Sequence, residues 1–415
     1  MKTAVILAAG ESSRFWPLNS KHKSLFYLMG RPLIWWTLFG VQKVSIKRVI
    51  IVQSPKRDIE KELKNFSFPK LKIGYAVQAK PLGTGNALWC AKNLLKENFF
   101  VLNGDVVCSE KILKPTIEKI KKEKCPCLAA QRTKFPWLFG MLKLKKDEIL
   151  KVVEKPKKGK EPSFWKVVGV YYLTLDYFSF YEKVKKHPFD FEDALNLYFK
   201  KKKVKAVFLK DSEEDLPAFL KYPWHLFAVK NYLFKNFLKE RISQNVSISK
   251  QVLLEGKVWI EEGTKIFERA TIKGPCYIGE NCVVGSNSLL RDGVNLERDC
   301  VVGAFCEVKN TIFQKGCTTH SGYLGDSIFG QNVKIGAGII TSNVRMDGKE
   351  IFCEVKGQKV NTFLKHFGTC VGENTFLGSN VNVMPGKFIG KACQIFPNSL
   401  VKENIKDHTT LKFNY

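Results

Sequence analysis

The run Cys276-Tyr277-Ile278-Gly279-Glu280-Asn281-Cys282-Val283-Val284-Gly285-Ser286-Asn287-Ser288-Leu289-Leu290 decides the architecture of the second half of the chain. Its aliphatic residues Ile278, Val284 and Leu290 recur at every sixth position. Followed outward, the same phase picks up Ile248, Leu254, Ile260, Ile266 and Ile272 on one side and Leu296, Val302 and Val308 on the other. Glycine follows several of them, as Gly279, Gly285 and Gly303. A helix repeats every 3.6 residues and a strand every two, so a period of six fits neither. It is the mark of a parallel β-helix built from six-residue sides, expected here to be left-handed. Two positions before each aliphatic residue stands a small or β-branched one: Val258, Thr264, Ala270, Cys276, Cys282, Ser288, Val294, Cys300 and Cys306. Four cysteines therefore share one inward slot, which makes them structural core residues.

The repeat breaks over residues 314–326 and 341–366, and resumes at Phe329-Gly330, Ile335-Gly336, Val371-Gly372, Leu377-Gly378 and Ile389-Gly390. Interruptions of a solenoid are read as loops, and such loops often carry function. Before residue 235 the pattern is different. Apolar runs at 4–7, 48–52, 73–77, 99–102 and 167–173 alternate with helical patterns such as 85–95 and 114–122. Strand–helix alternation predicts an α/β domain with a mainly parallel sheet and helices on both faces, with ligands outside the C-terminal strand ends. The expected organisation is an α/β domain at 1–235, a helical linker at 236–247, a β-helix at 248–403 and a tail at 404–415.

At 415 residues the chain is too long for one core. With 68 Lys and Arg against 39 Asp and Glu, its net charge is +29, which favours polyanionic partners such as nucleotides, nucleic acid or acidic surfaces. The plainer reading is a lysine-rich surface, since runs such as Lys200–Lys203 look like solvated faces, and nucleic acid is not an expected partner. No stretch approaches the roughly 20 apolar residues of a membrane span. The opening apolar run is brief and passes into a glycine-containing turn, so it reads as a buried strand and not a signal peptide. A cytoplasmic protein with reduced thiols is expected. The 12 cysteines show no zinc-site spacing.

The first strand leads into Leu7-Ala8-Ala9-Gly10-Glu11-Ser12-Ser13-Arg14. Small residues there let backbone N–H groups approach a phosphate, and Arg14 adds a cationic fork. There is no G-x-x-x-x-G-K-[ST] loop. With Pro17-Leu18, His22-Lys23 and Gly30-Arg31-Pro32, this segment resembles the sugar-1-phosphate nucleotidylyltransferases. Gln78 with Leu82-Gly83-Thr84-Gly85, Asn103-Gly104-Asp105, Gly140 and Glu154-Lys155-Pro156 follow in that family's order. The resemblance implies attack of a hexose 1-phosphate on the α-phosphorus of UTP or dTTP, with release of pyrophosphate. It assigns Arg14 and Lys23 to catalysis and Leu7, Ala8, Ala9, Gly10, Gln78, Gly83 and Thr84 to the nucleotide. Gly140, Glu154 and Lys155 go to the sugar phosphate and Asp105 to Mg²⁺. Three departures are present. Ser12 replaces a glycine and His22 a proline. Phe219 stands where a second metal-binding aspartate is expected, with Asp211, Glu213, Glu214 and Asp215 just upstream as substitutes.

The solenoid resembles the acyltransferase domain of the bifunctional N-acetylglucosamine-1-phosphate uridylyltransferases and their archaeal counterparts, most closely at His320-Ser321-Gly322-Tyr323-Leu324-Gly325-Asp326. This implies acetyl transfer from acetyl-CoA to an amino sugar phosphate, with His320 as base. Arg291, Lys309, Tyr323 and Asn343 would hold the sugar phosphate, in a homotrimer. Lys334 stands where that family has an asparagine. The alternative reading is a non-catalytic regulatory protein, built like the pyrophosphorylase-like subunits of the translation-initiation exchange factor.

Overall fold

The computed structural model describes residues 1–217 and 219–412. By their contacts these form two compact units. The first holds Met1–Glu11, His22–Phe26 and Pro32–Leu220; the second holds Ser12–Lys21, Tyr27–Arg31 and the chain from Lys221 onward. The division therefore does not fall at one point in the sequence.

The first unit is a nine-stranded sheet, with strands numbered here in chain order: β1 (Thr3–Ala8), β2 (Arg48–Gln53), β3 (Lys72–Val77), β4 (Phe99–Asn103), β5 (Cys127–Arg132), β6 (Gly140–Lys145), β7 (Glu148–Glu154), β8 (Trp165–Leu173) and β9 (Lys205–Leu209). Their spatial order is β3-β2-β1-β4-β8-β5-β9-β7-β6. Strands β3, β2, β1 and β4 run parallel. Strand β8 enters antiparallel to both β4 and β5, and β6 and β7 form an antiparallel hairpin. Every residue of β1 is buried, as expected of a central parallel strand with no wet face. The helices are α1 (Leu33–Val41), α2 (Asp58–Leu63), α3 (Thr84–Cys90), α4 (Ser109–Glu123), α5 (Tyr177–Glu182) and α6 (Asp190–Lys201). The 85–95 helical pattern resolves into α3 and a separate 3₁₀ turn at Lys92–Leu94.

The second unit is a parallel β-helix of three sheets, preceded by α7 (His225–Phe237). Strand Ser247–Ile248 pairs with Lys265–Ile266, which pairs with Val283–Val284, so one coil takes three six-residue sides. Each aliphatic position from Ile260 to Val308 is buried, and Cys276, Cys282, Cys300 and Cys306 are at most 2% exposed. Residues 314–326 are no loop. They form coils shortened to 17 and 16 residues, as the pairings Val301↔Thr318 and Thr318↔Lys334 show. The 341–366 interruption does leave the coil, and carries a hairpin of Phe352–Val355 and Gln358–Asn361. After it, Lys334 pairs with Phe376. The expected tail continues the solenoid: Thr410–Leu411 pairs with Gln394–Ile395, while 413–415 lie outside the described residues.

Two early segments belong to this second unit because its side chains hold them. Trp16 Nε1 donates to Asp407 Oδ1 at 2.8 Å. The Gln314 amide both accepts from Tyr27 N and donates to Tyr27 O. Met29 N donates to Asn295 Oδ1 at 3.0 Å, and Gly30 N to Glu297 Oε2 at 3.1 Å. Gly30 has φ +70°, and a side chain there would meet the Tyr277 hydroxyl. Among the described residues no helix is long and apolar enough to cross a membrane.

Candidate functional site

In the first unit, β1 and β4 end side by side. Gly104 N donates to Leu7 O at 3.1 Å, and Thr37 Oγ1 donates to Gly104 O. A Cβ at Gly104 would crowd Ala8 and Ser24 at 3.2–3.3 Å, so glycine lets the Asn103-Gly104-Asp105 turn close onto the first strand. Leu7, Ala8 and Ala9 are buried and Gly10 is exposed at the strand end. Asp105 is 5% exposed; its Oδ2 accepts from Lys23 Nζ at 2.7 Å. Lys23 also donates to Leu220 O. Asp105 Oδ1 is buried with no hydrogen-bond partner. A buried anionic oxygen without a donor is costly, and a hard cation such as Mg²⁺ is the ligand that suits it.

His22, which precedes Lys23, caps its short helix by accepting from Ser24 N at its Nδ1. Burial, and then the Lys23 charge, push its imidazole down to about 4, so it is neutral at pH 7. Arg14 lies in a 3₁₀ turn, Ser13–Phe15, in a segment of the second unit. Ser12 there has φ +53°, the left-handed region that a glycine would occupy without strain.

Gln78 is 3% exposed, and its Nε2 donates to Gly83 O and Asn86 Oδ1. Both amide protons are thus used within the protein. Gly83 (φ +103°) turns the chain into α3, whose first residue is Thr84. Gly140 pairs with Glu154 across the β6–β7 hairpin, and a Cβ at Gly140 would lie 2.7 Å from Glu154 Oε2. Lys155 follows with φ +42°, its N donating to Phe139 O and its Nζ 5.8 Å from the Phe189 ring.

Two of the upstream carboxylates, Glu213 and Asp215, are engaged within the protein. Phe219 packs edge-on against Phe139 at 4.9 Å. Glu213 pairs with the buried Lys166, and Asp215 accepts from Ser212 Oγ. No cluster of three potential metal ligands occurs among the described residues.

In the second unit, Arg291 and Lys309 are neighbours on adjacent coils. Both are engaged: Arg291 with Glu307 and Asp292, and Lys309 with Asp326 Oδ2 at 3.0 Å. Asp326 is a hub that sequence reading passed over. It is 2% exposed and also accepts from Asn310 and Asn343. Asn343 donates to the Tyr323 hydroxyl as well. Asn310 in turn accepts from Lys230, a fully buried amine that also donates to Gly293 O; burial lowers it to about 7. The one available signal was Asp326 lying inside the Gly325-Asp326-Ser327 run. His320 is exposed at the corner leading to the strand that carries Tyr323, and Lys334 is exposed on the next coil.

Comparison with known proteins places the chain in a family. Residues 3–252 match the nucleotidyl transferase family model, and residues 272–411 match the GMPPB C-terminal domain. The chain is 32% identical over 413 residues to the bifunctional protein GlmU of Methanococcus vannielii, covering 97% of this chain and 95% of that one. It is 34% identical over 412 residues to the GlmU of Methanococcus maripaludis, covering 98% and 96%. A bifunctional sugar-1-phosphate nucleotidylyltransferase/acetyltransferase of Sulfurisphaera tokodaii is 30% identical over 411 residues, covering 97% and 98%.

Proposed function

Because this chain belongs to the nucleotidyl transferase family and is a sugar-1-phosphate nucleotidylyltransferase, we propose a division of labour among its residues. The observation that carries it is Asp105, with Lys23 on one oxygen and no donor on the other. Asp105 Oδ1 would hold Mg²⁺, which when bound neutralises triphosphate charge. In the transfer itself, a phosphate oxygen of a hexose 1-phosphate bonds to the α-phosphorus of UTP or dTTP. The bond from that phosphorus to the bridging oxygen breaks, and pyrophosphate leaves. The work asked of the protein is positioning and charge neutralisation. Lys23 and Arg14 supply cationic charge toward the phosphates, and the Leu7-Ala8-Ala9-Gly10 backbone supplies N–H donors.

Gln78 holds the Gly83–Thr84 turn through its amide, which leaves its carbonyl oxygen as the base-reading atom. An acceptor is what the imide N–H of a uracil or thymine ring needs. Glu154 would take a sugar hydroxyl and Lys155 the sugar phosphate. Phe219 in place of a carboxylate supports a site that depends on Asp105 alone among side chains. The test is pyrophosphate release with Mg²⁺ and a panel of triphosphates and hexose 1-phosphates. Wild-type protein that releases none would remove the reading in favour of a regulatory protein.

For the second unit we propose acetyl transfer from acetyl-CoA to an amino sugar phosphate. The exposed His320 would accept the amine proton, with Arg291, Lys309, Tyr323 and Asn343 on the sugar phosphate. Its support is the Asp326 hub, which ties three of those four residues into one hydrogen-bonded group. Thiol release from acetyl-CoA with glucosamine 1-phosphate should be lost in His320→Ala. An active His320→Ala would show that another group is the base.

A further inference from the structure

The hydrogen-bonded group around Asp326 runs inward to a single amine on α7. Lys230 is fully buried, its Nζ 5.5 and 5.6 Å from the Phe227 and Phe234 ring centres of the same helix. The amine donates to Gly293 O and to Asn310 Oδ1. Gly293, Asn310 and Asp326 each follow, within two residues, one of three strands that pair in order: Leu289–Arg291, Cys306–Lys309 and Gly322–Gly325. All three have positive φ, at +97°, +46° and +46°. Gly293 leaves the amine its space, since a Cβ there would lie 2.9 Å from Lys230 Nζ and 3.6 Å from Asn310 Oδ1.

An asparagine side chain has one acceptor oxygen and one donor nitrogen, and Lys230 decides which points where. Because the amine takes the Asn310 oxygen, the Asn310 nitrogen faces Asp326 and donates to its Oδ1 at 2.6 Å. That fills one carboxylate oxygen and leaves Oδ2 to Lys309 and Asn343. Asn343 Nδ2 donates to Asp326 Oδ2 and to the Tyr323 hydroxyl, so Oδ1 is the atom it offers a ligand. Asn310 N also donates to Arg291 O at 3.0 Å. An apolar side chain at 230 could fill the same space, but Asn310 could then turn its amide over and present an oxygen to the Asp326 carboxylate.

We propose that Lys230 is a positioning residue for acetyl transfer. By fixing the Asn310 amide it sets Asp326, and through Asp326 the Lys309 and Asn343 groups that receive the sugar phosphate. This rests on the acetyl-transfer reading of the second unit. Lys230 itself is sealed from substrate, so its removal acts on capture of the sugar phosphate and spares acetyl-CoA.

The test is steady-state thiol release from acetyl-CoA by the full-length chain with glucosamine 1-phosphate as acceptor. Lys230→Met keeps an unbranched side chain of similar length and removes the donor. Its KM for glucosamine 1-phosphate should rise about tenfold, while KM for acetyl-CoA stays within about twofold. Pyrophosphate release by the first unit should be unchanged. Asn310→Leu cuts the same link one residue further on. It should raise the same KM by a similar factor, and the double variant should raise it no further, because a linked chain is broken once. A lysine that only stabilises the fold gives a different result: the melting temperature falls and KM for the sugar phosphate does not move. That outcome, or additive effects of the two substitutions, overturns the proposal and leaves acetyl transfer standing. If Lys230→Met does not fold, Asn310→Leu decides alone, since an unaltered KM there overturns the proposal. Absence of thiol release by wild type with glucosamine 1-phosphate and galactosamine 1-phosphate overturns acetyl transfer, and this proposal with it.

Discussion

The two oxygens of Asp105 have different surroundings, one held by Lys23 and one buried without a donor. Replacing this residue by alanine should lower kcat for nucleotidylyl transfer by at least ~100-fold, the order found when a group stabilising transition-state charge is lost. Steady-state pyrophosphate release checks it, and a loss below tenfold would displace Asp105 from the site. Cys282 is a residue of another kind, a small core filler whose Sγ donates to Glu297 O at 3.2 Å. Burial holds its thiol well above the usual range, so it is neither a thiolate nor a metal ligand at neutral pH. Cys282→Ala should cost on the order of 1 kcal/mol in denaturant unfolding. Stoichiometric zinc bound through Cys276, Cys282, Cys300 and Cys306 would contradict this assignment.

Glu297 gives a pH prediction at the same scale. It is 2% exposed and accepts from Gly30 N and Asn295 Nδ2, yet burial pushes it from 4.5 up to about 7. A folded-state value above the unfolded one means its contribution to stability is full below about pH 4.5. That contribution is lost as the pH rises toward 7 and is constant beyond. The loss amounts to at most roughly 3 kcal/mol. Glu297→Gln can keep an acceptor for both donors without titrating. Unfolding free energies at pH 5 and pH 8 should therefore differ less in the variant than in wild type. Identical pH profiles would show that Glu297 stays ionised in the folded protein.

At the scale of elements, α3 shows what fixes the turn proposed to read the base. Its N-terminus is tied by Gln78, and its Gly85 packs so closely that a Cβ would fall inside contact distance of the Tyr181 ring and Asp190 Oδ1. Gly85→Ala should destabilise the protein by about 1–3 kcal/mol, the range for overpacked sites, and should raise KM for the triphosphate more than it lowers kcat. Thermal melting and steady-state kinetics together check both parts. An unchanged melting temperature would mean that α3 shifts to make room. The solenoid accommodates change differently: the 17-residue coil drops one residue at one corner, between Val308 and Phe313, and the 16-residue coil drops one at each of two, between Thr319 and Leu324 and between Leu324 and Phe329, while the sides keep their strand pairing.

For the whole molecule, one outer row of the β-helix runs Leu253, Thr271, Leu289, Glu307, Tyr323, Ile340, Asn382, Leu400, one residue per coil. Leu253, Ile340 and Leu400 are 43–57% exposed. Apolar side chains aligned on a flat face are better buried against another copy, so a homotrimer joined through the solenoids is expected. Light scattering across micromolar concentrations should give a mass near three chains; a monomer throughout would end the claim.

The sequence by itself determined the features that repeat or lie close along the chain. The six-residue period fixes which side chains point inward, because every coil imposes the same geometry on Ile278, Val284 and Leu290. The ordered motifs around Gly10, Gly83, Asp105 and Lys155 are legible because each is a short turn with a local steric demand. Only the tertiary structure decided what depends on distant segments meeting. Trp16 finds Asp407, 391 residues away. Asp326 gathers Lys309, Asn310 and Asn343. Asn196 on α6 is bonded twice to the Val152 backbone, 44 residues away. The shortened coils at 314–326 looked like a loop because the hydrophobic period fails there, while the backbone ladder persists. Burial sets the state of Lys230 and Glu297, and it is not encoded in the residues adjacent to them.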